Sequence, residues 1–111
     1  MLDELSFRRH ADQSIEDLKR ALIDAEEEGG FEAEENNGAL NVVFAEPPGK
    51  FVITPNAPVR QIWISALSTS YKLDWSDAAG AFVHPKDGLA LKPLMARLIS
   101  QHLGIPAVEL G

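Results

Sequence analysis

The sequence predicts an α+β fold: a two-layer sandwich with N- and C-terminal helices packed on one face of an antiparallel β-sheet. Three observations predict it. Residues 3–28 carry an apolar stripe at helical spacing, residues 91–103 carry a second, and the stretch between them alternates apolar and polar residues in short runs joined by hairpin-length links. With both helices on one side, the other sheet face stays open to water.

In the first helix Ala11, Ile15, Leu18, Leu22 and Ala25 recur at steps of four, three, four and three, which makes one buried stripe. Asp12, Glu16, Asp24 and Glu27 fall on the opposite half with Asp17 beside them. Arg20 interrupts that acidic face and Lys19 sits at its margin. Gly29-Gly30 ends the helix. Asp24, Glu26, Glu27 and Glu28 crowd its C-terminus, where the helix dipole is negative and carboxylates are unfavourable. Residues that lower stability without a local gain are candidates for function, although a solvated acidic face kept for solubility is the more frequent explanation.

Residues 31–35 alternate, with Phe31 and Ala33 inward and Glu32 and Glu34 outward, and Asn36-Asn37-Gly38 is a hairpin signal. Leu40, Val42 and Phe44 continue the inner face, leaving Asn41 and Val43 outside. Glu35 breaks the alternation, so it is expected near the hairpin end, where its carboxylate can reach water. Pro47-Pro48-Gly49 makes the next turn, residues 50–54 form a third strand, and residues 54–58 link it to a fourth. That fourth strand, Pro58-Val59-Arg60-Gln61-Ile62-Trp63-Ile64-Ser65-Ala66, is central to the reading. Ile62 and Ile64 point to the core, while Gln61, Trp63 and Ser65 point to the open face. The alternative is that another part of the chain covers Trp63 and the indole simply packs. Residues 71–75 and 81–84 supply two more strands about a turn at residues 76–80, and Asp87-Gly88 closes the sheet region. Leu91, Leu94, Met95, Leu98, Ile99 and Leu103 then form the last stripe, with Pro93 in the first turn and Gly104 as the stop.

At 111 residues the chain is expected to be one domain, 1–111, large enough for a core without staples. It has no cysteine, which excludes disulfides, thiolate zinc sites and Cys-ligated clusters, so a metal would be held by oxygen or imidazole. Seventeen acidic residues against ten Lys and Arg give a net charge of −7, which repels nucleic acid and anionic membrane and suits cations or a basic protein. There is no membrane-spanning apolar run, no signal-peptide core and no Arg-rich transit pattern. The expectation is a soluble cytoplasmic protein, with a cleaved organellar leader left open.

Catalytic patterns are weak. His10, His84 and His102 are scattered and read as surface or helix-end residues. There is no phosphate-binding glycine loop, and an exposed helix face does not supply the cleft that paired catalytic carboxylates need. The acidic face is the better chemical signal. Carboxylates suit Fe³⁺ and labile Fe²⁺, and without a cage such binding is weak, as fits a carrier, a sensor or a docking strip.

The run Pro-x-x-Gln-Ile-Trp-Ile-Ser, the Asp74-Trp75 pair, the Asp87-Gly88 turn and the terminal amphipathic helix together resemble the frataxin family, including its bacterial members. The resemblance spans most of the chain and implies the same α+β layout. In that family, acidic residues of the first helix and strand bind iron and dock on the cysteine desulfurase, and an exposed sheet face meets the iron–sulfur scaffold protein. Carried onto this sequence, the resemblance implies iron ligands among Asp12, Glu16, Asp24, Glu27, Glu32 and Glu34. It implies partner contacts at Asp17, Glu28, Gln61, Trp63 and Lys72, the last at a position that is often Arg. Arg20 and Ile23 depart from the acidic pattern, as do Thr54, Asn56 and Val59 from the Asn, Gln and Asn usual in mitochondrial members. Phe82 stands where a Trp is common.

The function implied is that of a cytoplasmic bacterial iron chaperone: an iron donor, or a regulator of the desulfurase–scaffold complex, binding Fe²⁺/Fe³⁺ weakly. The expected state is a monomer, with iron-dependent oligomers as the variant. Two alternatives stay open, a ferroxidase and iron store, and a metal-free acidic interaction module. The sequence has no buried di-iron motif of the Glu-x-x-His kind, which argues against rapid oxidation.

Overall fold

The computed structural model describes residues 3–36, 38–45 and 48–104, and of residues 27–29 the backbone alone. Helix α1 (Glu4–Gly29) leads into strands β1 (Phe31–Asn36), β2 (Ala39–Ala45), β3 (Pro48–Asn56), β4 (Gln61–Ala66), β5 (Thr69–Ser76) and β6 (Ala81–Val83), and helix α2 (Leu91–Leu103) follows. The strands form one antiparallel meander in the order β1-β2-β3-β4-β5-β6. The α+β sandwich expected from the sequence is the fold observed.

Local chemistry sets the helix ends. Asp3 caps α1 by accepting the Ser6 amide at 2.7 Å, and this bond holds its carboxyl below the usual carboxylate range. Gly30 takes the left-handed conformation at φ 68° and donates its N–H to the Glu26 carbonyl at 3.1 Å. Gly104 ends α2 in the same way.

Cross-strand register shows why the alternation has the period it has. Phe31 pairs with Phe44, Val42 with Phe51, Ile53 with Ile64, Ile62 with Leu73 and Trp75 with Phe82, so one sheet face is a continuous apolar surface. The stripes of α1 and α2 close over it: Phe7, Ala11, Leu18, Leu22, Leu94, Met95 and Ile99 are all buried in one cluster with those strand residues. Glu35 pairs with Leu40 and would point inward, but at the sheet edge its carboxylate stays exposed and lies 3.5 Å from the Lys19 ammonium.

Several boundaries and placements differ from the sequence reading. Strand β3 runs from Pro48 to Asn56, so Pro48 and Gly49 are strand rather than turn and Pro55 still pairs, with Ile62. Residues 58–60 are not the start of β4. Ala57–Val59 is a 3₁₀ turn, and Arg60 follows at φ 56° with its side chain donating to the Ala57 carbonyl. Asn41 lies on the open face as expected, yet it is only 8% exposed. Asn37 and Pro47, parts of two expected turns, lie outside the described residues.

The histidines are not bare surface groups. His10 stacks on Trp75 with ring centroids 4.1 Å apart, and His84 is largely buried, edge-on to Tyr71. His102 sits 4.2 Å from the Phe44 ring, directly over Gly49. A Cβ at position 49 would lie 2.5 Å from His102 Cε1, which is why a residue without a side chain stands there. Asp87 accepts the Leu89 amide at 3.0 Å, and this bond, with His84 next in importance, holds its carboxyl below the usual range.

The β4–β5 hairpin holds a correctable strain. Ala66 pairs with Thr69, so Leu67 and Ser68 alone make the turn, and both adopt positive φ, 52° and 62°. Such turns favour Asn-Gly, because a Cβ crowds the backbone carbonyl in the left-handed region, which glycine avoids and asparagine tolerates. Leu67→Asn with Ser68→Gly is expected to raise stability by about 1 kcal/mol. A rise in the denaturant midpoint checks this, and an unchanged or lower midpoint would show that the turn stores no strain.

Candidate functional site

Two surfaces emerge from the residues singled out in the sequence. The first is the acidic outer face of α1 with the neighbouring edge strand β1. Asp12, Glu16, Asp24, Glu32 and Glu34 are all exposed, and α1 packs against β1, so the helix acids lie near the edge strand, while the alternation of β1 turns Glu32 and Glu34 to the sheet face away from the helix. Glu27 and Glu28 belong to α1 by backbone, but their side chains lie outside the described residues.

The acids do not form a single cluster. Asp12 and Glu16 line a groove of about 450 Å³ between α1 and the β1–β2 hairpin, shared with Arg9, Gln13 and Glu35. Asp17, one residue on, turns to the other flank. It accepts Gln13 Nε2 at 3.0 Å and borders a second groove, about 290 Å³, with Ser14, Lys92 and Pro93. Cations stand among the acids: Arg20 Nε is 3.7 Å from Glu16, and Lys19 engages Glu35. Among the described residues no three imidazoles or carboxylates converge closely enough to grip one ion. This is a field of exposed carboxylates, able to attract a hard cation or a basic surface and to exchange it quickly. Glu26 has a different task, because its Oε2 lies 3.4 Å from the Ala33 amide on β1 and helps cover that sheet edge.

The second surface is the sheet face turned away from the helices. Trp63 is half-buried at the centre of β4, opposite Thr54 on β3 and Lys72 on β5. The Lys72 ammonium lies 4.8 Å from the indole centroid, close enough for a cation–π contact. The indole N–H donates to Gln61 Oε1 at 2.8 Å, and Gln61 Nε2 donates to Asp74 Oδ1 at 2.9 Å. Gln61, Trp63 and Lys72, chosen from the sequence, thus touch one another. Asp74 was missed as a member of this group. The signal that finds it is register: once β4 and β5 are joined by a two-residue turn, Asp74 must fall opposite Gln61. Among the described residues no helix is long and apolar enough to cross a membrane.

A family model described as frataxin-like domain matches residues 1–105. Among curated proteins, the iron–sulfur cluster assembly protein CyaY of Azotobacter vinelandii is 28% identical over 92 residues, covering 81% of this chain and 83% of its own. The CyaY protein of a Janthinobacterium species is 22% identical over 110 residues, 96% of each chain. Mitochondrial frataxin of Dictyostelium discoideum is 36% identical over 67 residues, 60% of this chain and 34% of that protein. Among solved structures, frataxin from Psychromonas ingrahamii superposes with a TM-score of 0.82 over 99% of both chains at 17% identity, a likeness of fold.

Proposed function

The chain belongs to the frataxin-like domain family, and from that premise we propose that it acts in iron–sulfur cluster assembly, with iron as its cargo. The acidic α1–β1 side would receive iron and dock on the cysteine desulfurase, and the Trp63 face would meet the scaffold protein. The names of the bacterial relatives support the pathway. The single observation that most supports the division of labour is the separation of the α1 acids from the indole: exposed carboxylates on the outer face of α1, and a half-buried indole on the sheet face turned away from that helix.

The chemistry follows from exposure. Water-facing carboxylates in ones and twos bind a hard cation weakly and release it readily, as a donor requires. Asp12, Glu16, Asp24, Glu27, Glu32 and Glu34 are the proposed iron contacts. The same charges, with Asp17 and Glu28, attract a basic partner over distances of about 8 Å at physiological salt, which favours fast and reversible docking. Arg20 and Lys19 weaken the field locally at Glu16 and Glu35.

Anaerobic titration with Fe²⁺, followed by admission of air, tests this reading against its alternatives. Binding with slow oxidation fits an iron carrier, rapid protein-dependent oxidation would favour a ferroxidase, and no binding would leave an acidic docking module. Broadening of amide signals by a trivalent paramagnetic ion should centre on Asp12, Glu16, Asp24, Glu27 and Glu32. Broadening centred on His84 or His102 would remove the carboxylate assignment. Desulfurase affinity should fall steeply as salt rises, and a salt-independent affinity would sink the electrostatic docking mode.

A further inference from the structure

The open sheet face carries a relay of contacts whose direction is set by chemistry. Gln61 and Asp74 stand directly opposite each other across β4 and β5, as do Trp63 and Lys72. A carboxylate only accepts and an indole N–H only donates, whereas a glutamine amide does one at each end. With Asp74 Oδ1 taking the amide nitrogen at 2.9 Å, the amide oxygen is turned toward Trp63 Nε1, which donates to it at 2.8 Å. Rotating the Gln61 amide by half a turn would put NH₂ against N–H and oxygen against carboxylate, breaking both bonds together. Asp74 therefore fixes the amide, and the amide fixes the indole.

We propose that Asp74 and Gln61 are positioning residues that lock the Trp63 indole with its only polar group already bonded, so that a partner recognises ring carbon beside the Lys72 charge. The proposal rests on the reading of this face as the scaffold-binding surface. It assigns Gln61 a role through Trp63 rather than through its own contact with the partner. It also gives Asp74 a task. Ordering an aromatic side chain before association removes that cost from binding, an advantage of about 3- to 10-fold in affinity.

The free protein gives the first test, by NMR of the indole groups. Asp74→Ala should speed solvent exchange of the Trp63 indole proton about tenfold, since its acceptor is no longer held. Asp74→Asn keeps an oxygen opposite Gln61 and should stay close to the parent. Trp75 is an internal control, because its indole donates to Asp77 at 2.9 Å, away from the relay. Scaffold affinity is measured on the same variants: Asp74→Ala should weaken it about 3- to 10-fold and Asp74→Asn should restore it. Trp63→Phe, which deletes the N–H and keeps a ring, should bind better than Trp63→Ala. Unchanged Trp63 indole exchange in Asp74→Ala, or Asp74→Asn failing as badly as Asp74→Ala, would overturn the relay. Trp63→Phe binding no better than Trp63→Ala would overturn recognition through ring carbon. A parent protein that does not bind the scaffold would instead refute the underlying surface assignment, with the indole exchange still deciding the relay.

Discussion

Phe7→Ala is expected to lower the free energy of unfolding by about 3–5 kcal/mol, the usual loss when a buried aromatic ring is truncated. Phe7 is fully buried and meets Phe82 edge-on, with centroids 5.7 Å apart. Phe82 in turn packs on Trp75 at 5.2 Å, and Trp75 carries the stacked His10 ring at 4.1 Å. One ring thus ties the first turns of α1 to β5 and β6. Removing it opens a void beside the Phe82 ring, which Trp75 holds in place on its other side. Against a total stability of about 5–15 kcal/mol, the loss should lower the melting temperature by ~10 °C or more. A loss under about 1 kcal/mol would mean that the N-terminal turns of α1 contribute little to the docked helix.

Phe7 also marks a limit of the sequence reading. The regular steps of the stripe begin at Ala11, yet Phe7 lies four residues earlier on the same face and is as deeply buried as Leu18. Its neighbours Arg8, Arg9 and His10 mask it in a linear scan. Elements whose period is local were legible: the two helix stripes, the inward residues of β1, β2 and β4, and the escape of Glu35 to the edge. What depends on contacts between distant segments was not. His10 and His102 found packing partners on other elements, Arg60 took a left-handed conformation that its side chain does not announce, and Pro55 continued β3 where a link was expected. Helical periodicity put Asp12, Glu16 and Asp17 near one another on α1. Only the position of α2 decides that Asp17 shares a groove with Lys92 while Asp12 and Glu16 face the β1–β2 hairpin. Asp74 was hidden for a related reason, since a slip of one residue in register would have sent it to the opposite face.

Trp63→Ala should separate stability from binding in the opposite sense to Phe7→Ala. The indole is half-buried on the face away from the helices, whereas its strand neighbours Ile62 and Ile64 are fully buried. Truncating it leaves no void beneath the sheet. It removes one hydrogen bond to Gln61 and the Lys72 contact, so the expected stability loss is about 1 kcal/mol. Binding to the scaffold should fall by more. Tryptophan is the residue type most often found as an interface anchor, and loss of an anchor weakens association by about 2 kcal/mol or more, roughly 30-fold. Thermal unfolding and scaffold affinity measured on the same preparation decide the matter. A melting-temperature drop as large as that of Phe7→Ala, with affinity per folded molecule unchanged, would assign Trp63 to the core. The open sheet face would then lose its main claim to be a partner surface, and the acidic α1–β1 side would have to carry the function alone.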